Sequence, residues 1–168
     1  MSGGIAVKKL RIPGILATAL LVSLLSGCAK SSLPVGEYTF GDVAYMGLIS
    51  SATREYMVET KSGTEYSIQD DSLRVSGRGD ETTYSNITYK RERLTDKLIA
   101  KHYESDEFQP LAGFFAPYTR RYRFSLYDEY GEQIHTYIFL LDGQVFISRF
   151  AREDILVFSI DRIVKQED

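Results

Sequence analysis

The chain has 168 residues, a formal net charge of −3 and one cysteine, which allows one domain with a real hydrophobic core and excludes a disulfide framework. The acidic balance excludes broad nucleic-acid binding, which needs a basic surface against phosphate, and a polybasic hold on anionic lipid. With 12 Tyr, 9 Phe and no Trp, the aromatic choice suits pleated, half-buried strands.

Residues 1–11 end in Lys8, Lys9, Leu10 and Arg11, with no acidic residue. An apolar run follows over residues 12–25, IPGILATALLVSLL. A basic segment before an apolar one of this length is the layout of a secretory signal. The run falls short of the ~20 residues a permanent membrane helix needs. It ends in Leu25-Ser26-Gly27-Cys28. This resembles the lipobox of bacterial lipoproteins, read by a signal peptidase of type II: Leu three places before Cys, then two small residues that fit a peptidase cleft. The resemblance implies cleavage between Gly27 and Cys28. It also implies that the Cys28 sulfur carries diacylglycerol as a thioether, with further acylation of the new N-terminus. Two or three acyl chains give stable anchoring where one does not. A lone thiol in an oxidising compartment invites unwanted pairing, and lipid on Cys28 removes that hazard. Ala29 stands where Asp tends to mean inner-membrane retention in Gram-negative lipoproteins, so the resemblance points to the periplasmic face of an outer membrane in such a host. The expected organisation is a signal peptide over 1–27, a lipidated tether over 28–35 and a β-rich domain over 36–168.

From Gly36 onward, strand patterns recur. Tyr38 and Phe40 alternate with polar residues. Tyr56, Val58 and Thr60 alternate next, and Ser62-Gly63 then reads as a hairpin turn into Tyr66 and Ile68. Asp70-Asp71-Ser72 and Gly77-Arg78-Gly79-Asp80 read as further turns, flanking Leu73 and Val75. Residues 82–91 read as one strand with Tyr84, Ile87 and Tyr89. Residues 92–104, ERLTDKLIAKHYE, fit helix or strand, and the neighbouring strands favour strand. Residues 119–127 place Tyr122, Phe124 and Leu126 on one face, and Arg121, Arg123 and Tyr127 on the other. Residues 133–141, QIHTYIFLL, are apolar on both faces, as in a strand covered on both sides. Asp142-Gly143 is a strong two-residue hairpin signal, followed by strands over 144–150 and 155–164. The fold expected is all-β: a single antiparallel meander of about eight to ten strands. A barrel is favoured because closure removes exposed edges, with a two-layer sandwich as the alternative.

Gly36-Glu37-Tyr38 opens the first strand. Lipocalin-like barrels carry Gly-x-Trp there, with a late Arg packed over the ring. The chain faintly resembles them, with Tyr38 in place of Trp and Arg162 as the implied partner.

The chemistry-bearing patterns are sparse. His102 and His135 lack metal-ligand spacing and companions, so no metal or cofactor is expected, and His135 reads as a packed core imidazole. No GxSxG elbow is present. Gly77-Arg78-Gly79 precedes a strand, so it is turn chemistry rather than a phosphate cradle, and Arg78-Gly79-Asp80 is read the same way. Asp70-Asp71 and Asp128-Glu129 read as solvated turns, not calcium ligands. No catalytic residue emerges. The apolar stretch 108–118, FQPLAGFFAPY, carries Phe108, Leu111, Phe114 and Phe115. It reads as a segment that closes the core, with a lid over a barrel mouth, a partner-docking loop or a dip into the membrane interface as the functional alternatives. Arg121 and Arg123 read as a solvated face pairing with acids.

The function expected is a membrane-anchored envelope lipoprotein, not an enzyme. Its β-domain would bind a small apolar or amphipathic ligand. The alternative is a structural or regulatory protein acting on another envelope protein.

Overall fold

The computed structural model describes residues 32–47, 54–103, 109–151 and 157–167. The lipobox, Gly27, Cys28 and Phe108 lie outside them. Nine strands form one sheet: β1 (Gly36–Met46), β2 (Glu65–Ile68), β3 (Ser72–Gly77), β4 (Asp80–Ser85), β5 (Thr88–Arg93), β6 (Arg121–Tyr127), β7 (Gln133–Leu141), β8 (Gln144–Ala151) and β9 (Val157–Lys165). Among the described residues three short helices accompany them: α1 (Arg54–Lys61), α2 (Asp96–Tyr103) and α3 (Gln109–Phe115).

The strand order is β4-β3-β2-β1-β9-β8-β7-β6-β5, every pairing antiparallel. The order is a meander in which first and last strands also pair, as in a barrel. One continuous sheet replaces the sandwich alternative. Its edges, β4 and β5, are joined by only Asn86 and Ile87. Three Cα steps reach at most ~11 Å, whereas a flat sheet of this width would part its edges by ~38 Å. The sheet is therefore curled into a half-barrel. Eight antiparallel steps also leave β4 and β5 running in the same direction. They act as two halves of one bent strand, the first half on β3 and the second on β6. The single strand read over 82–91 is this bent run. Asn86 makes the bend with φ 55°, a left-handed conformation that Asn tolerates. Ile87 is buried, and its N–H donates to the Asp71 carbonyl at 2.9 Å.

Curling gives the sheet two apolar faces. The inner cluster takes Tyr38, Ile68, Leu73, Ile87, Leu126, Ile138, Ile147 and their neighbours, and Leu33 joins it ahead of β1. The outer cluster takes Phe139, Leu141, Phe146 and Ile160 from the sheet, and Leu94, Ile99, Leu111 and Phe115 from the α2–α3 layer. β7 supplies Ile138 to one and Phe139 to the other, which explains a strand apolar on both sides.

Two sequence expectations fail here. Residues 54–61 are helix α1, not a strand. Ser62-Gly63 ends it: the Ser62 N–H donates to the Val58 carbonyl at 2.9 Å, the Thr64 N–H to the Lys61 carbonyl at 3.0 Å, and Gly63 has φ 79°. The same Gly signal serves a hairpin and a helix C-cap. Residues 96–103 are helix α2, not a strand. Thr95 caps it, its Oγ1 accepting the Leu98 N–H at 3.3 Å, with Asp96 in the first turn. Both helices are eight residues long, too short for periodicity to separate from alternation.

Candidate functional site

Side chains alternate across a strand, so partners of the inner cluster are fixed by register. On β9, Ile163 belongs to the inner cluster, and Asp161 and Ser159 therefore face inward too. Asp161 stands opposite Ile147 on one side and Val43 on the other. On β7, Thr136 shares the inner face with Ile138. Thr136, Ser159 and Asp161 are 2%, 2% and 5% exposed. The half-barrel interior is thus apolar over most of its length and polar at one end.

Helix α1 covers that end. Lys61, in its last turn, reaches inward. Its Nζ lies 2.5 Å from Asp161 Oδ2 and 2.5 Å from Ser159 Oγ. A carboxylate taken out of water costs several kcal/mol unless cations and hydrogen bonds compensate it, and Lys61 is one such partner. Ser and Lys at this distance form the minimal nucleophile–base pair. Here the amine proton is engaged by the carboxylate, and the hydroxyl is buried. The arrangement holds the Lys61 ammonium between two oxygens.

The opposite end is closed by Leu33. Burial pushes the Tyr38 phenol above its ordinary pKa, and its hydroxyl donates to the Pro34 carbonyl at 3.0 Å. A groove of about 260 Å³ lies there, lined by Tyr38, Gln144, Val145, Arg162, Ile163 and Lys165 among others. Drug-sized ligands occupy roughly 300–1,000 Å³. Arg162 is exposed and, next to inward Ile163, faces away from Tyr38. The stacking implied by the lipocalin resemblance does not form.

The other sequence candidates are placed as follows. Leu111 and Phe115 are 1% and 0% exposed in the outer cluster, and Phe114 is half-buried beside it. The stretch therefore closes the outer core; the end of the interior is covered by α1 instead. Phe115 meets Phe139 with ring centroids 5.3 Å apart. Arg121 and Arg123 are not a solvated face. Their side chains are 12% and 14% exposed, paired with Asp96 at 2.6 Å and Glu92 at 2.5 Å. Arg123 also lies over the Tyr137 ring at 5.4 Å. The α2–α3 layer covers them, which alternation alone does not reveal. His135 is exposed rather than packed, because β7 carries an irregularity against β6 where Ser125 pairs with Tyr137 and Leu126 with Ile134. Asp128 is a turn cap, its Oδ1 accepting the Tyr130 and Glu132 N–H groups. Arg78 and Gly79 form a two-residue turn with φ 50° and 86°, and Arg78 donates to the Glu59 carbonyl of α1. Among the described residues no three His, Cys, Asp or Glu side chains converge as a metal site.

The inner polar row is the feature sequence reading missed. A signal for it exists: Ser159, Asp161 and Ile163 alternate within an apolar strand, so a charge shares a face with core. Lys61 was hidden because its segment alternates like a strand.

No family model matches the chain, and neither a curated protein nor a solved structure matches it.

Proposed function

We propose that this chain is a membrane-anchored lipoprotein of the cell envelope whose β-domain is a non-catalytic binding module for a small amphipathic ligand. The observation that carries the reading is the two-zone interior. Ile68, Leu73, Leu126, Ile138 and Ile147 offer an apolar zone, and Thr136, Ser159 and Asp161 a polar row on the same inner face. Ligand pockets combine apolar walls with a few placed polar groups in this way. The anchor rests on the lipobox ending in Cys28, and its location in a Gram-negative host would be the periplasmic face of the outer membrane.

Mass spectrometry on protein extracted gently from its native membrane tests both parts. The denatured mass is expected to equal the chain from Cys28 plus acyl groups. A mass starting at Met1, or one without lipid, defeats the anchor. The native spectrum is expected to carry extra non-covalent mass of small-molecule size, and a bare monomer counts against the ligand.

A second reading, an envelope interaction protein, draws on one observation: the interior is filled by the protein's own side chains, with Leu73, Leu126 and Ile147 fully buried. A native complex with another envelope protein, and no small molecule, favours it.

A further inference from the structure

We propose that the end of the half-barrel where β9 finishes and β1 begins is a docking surface for a phospholipid bilayer, and that Arg162 and Lys165 hold a lipid phosphate in the groove they line. The nearness of a bilayer rests on the anchor reading. The surface itself is carried by residues of the sheet.

Four observations carry it. First, the groove follows from unequal strand ends. β9 pairs with β8 only as far as Ile163 opposite Val145, but with β1 as far as Lys165 opposite Tyr38. Val164 and Lys165 therefore run past β8, and Gly143 beside them has no side chain to fill the gap. The resulting groove of about 260 Å³ is lined by Arg162 and Lys165 together with Gln144 and Val164. Second, both cations are uncommitted. Each is exposed, and among the described residues neither pairs with a carboxylate. The acids beside them in register are engaged elsewhere. Asp42, opposite Arg162, is held by Arg54 and the Val43 N–H. Glu37, next to Tyr38, accepts from the Ser67 hydroxyl at 2.6 Å. A guanidinium and an ammonium are the side-chain groups that take phosphate, and every phospholipid head group carries one. This needs two charges at one groove, not the polybasic surface that an acidic chain lacks. Third, apolar side chains stand with the cations. Of the four large apolar side chains exposed among the described residues, Val35 and Val164 lie at this end. Val35 precedes Gly36, where a Cβ would lie 3.2 Å from Lys165 Cε. Apolar groups beside long cationic side chains suit the head-group boundary. Fourth, the anchor is close. Five Cα steps from Cys28 to Leu33 reach at most ~18 Å, and Leu33 and Pro34 meet this end of the interior at Tyr38.

The test is fluorescence quenching by brominated phosphatidylcholine. The full chain, extracted from its membrane, is reconstituted in vesicles of that lipid, and its denatured mass is read in parallel. The chain has no Trp, so one introduced Trp reports alone. Val164→Trp is expected to be quenched at least threefold more than Tyr130→Trp. Tyr130 is 82% exposed on the β6–β7 turn, at the other end of β7 from the groove. Should Val164→Trp fail to fold, Gln144→Trp reports from the β8 side of the groove. Adding Arg162→Gln and Lys165→Gln is expected to lower the quenching at least twofold, with the strand signal in circular dichroism unchanged. Equal quenching at the two ends overturns the inference, as does quenching that survives the loss of both charges. A mass without lipid on Cys28, with quenching still confined to the groove end, removes the anchor and leaves the docking surface. Lipid on Cys28 with no quenching at the groove end removes the docking surface and leaves the anchor.

Discussion

Single residues fix the turns and close approaches on which the curl depends. Asp142 begins the β7–β8 turn with φ 47°, and its carboxylate accepts the Thr119 N–H at 3.0 Å, the Arg120 N–H at 2.7 Å and the Thr119 hydroxyl at 2.9 Å. The Arg120 and Thr119 backbone bonds hold its pKa below the ordinary 3.8. A lowered folded value means a contribution present in full above the unfolded value and lost as pH falls through the folded one. Asp142→Asn keeps the left-handed turn but not the charge. It is expected to unfold at lower urea than the unaltered chain at pH 6, with the gap closing below about pH 4. A gap that persists undiminished at acid pH would show that the carboxylate charge is not what matters. Gly41 works by close approach instead: a Cβ there would lie 2.9 Å from Val164 Cγ2 and 3.1 Å from the Arg162 carbonyl oxygen. It sits where the β1–β9 register shifts between Phe40 and Asp42, so the bulge brings the strands too near for a side chain. Gly41→Ala is expected to cost ~1–3 kcal/mol by overpacking, read from denaturant midpoints; an unchanged midpoint would mean that β9 yields freely.

At the scale of elements, legibility followed length and symmetry. Strand β6 was readable because alternation ran over its seven residues, and the β7–β8 hairpin because a Gly-containing pair stood between two apolar runs. The two eight-residue helices were not, because Tyr56, Val58 and Thr60 satisfy period two as well as any strand. What distinguishes α1 is local and polar: Glu55 in the first turn, Lys61 in the last, and the Thr60 hydroxyl donating back to the Tyr56 carbonyl at 2.9 Å. The role of Gly63 separates the readings experimentally. Its φ is 79° and a Cβ there meets nothing within 4 Å, so Gly63→Ala imposes backbone strain without a clash. The expected cost is ~1–2 kcal/mol, with amide exchange rising in α1 before the strands. Protection lost first in β2 would instead assign Gly63 to the sheet. The inner polar row belongs to this scale as well. Each member was visible in sequence, but facing is a property of register, and Lys61 joins the row only once its segment is a helix.

For the whole molecule, the barrel-like closure depends on one bent run. β4 and β5 carry exposed and half-buried residues and no fully buried one, so little of their own packing secures them. Ile87 does: it is 4% exposed within the inner cluster, and its N–H is held by Asp71 on the β2–β3 turn. Pinning that residue inside commits the chain to leave β3 and join β6, and so curls a sheet that would otherwise end in two open edges. Sequence alone could favour a barrel over a sandwich through the edge problem; it could not show that one strand serves both edges, because a smooth alternation over 82–91 hides the bend at Asn86. Ile87→Ala is expected to cost ~2–5 kcal/mol, as buried aliphatic truncations do. Its signature is spatial. Hydrogen exchange should rise most in β4 and β5, while β7 and β8, covered on both faces by the two clusters, keep their protection until global unfolding. A uniform loss across all nine strands would mean that the bend is not an independent closure and that the half-barrel opens only as one unit.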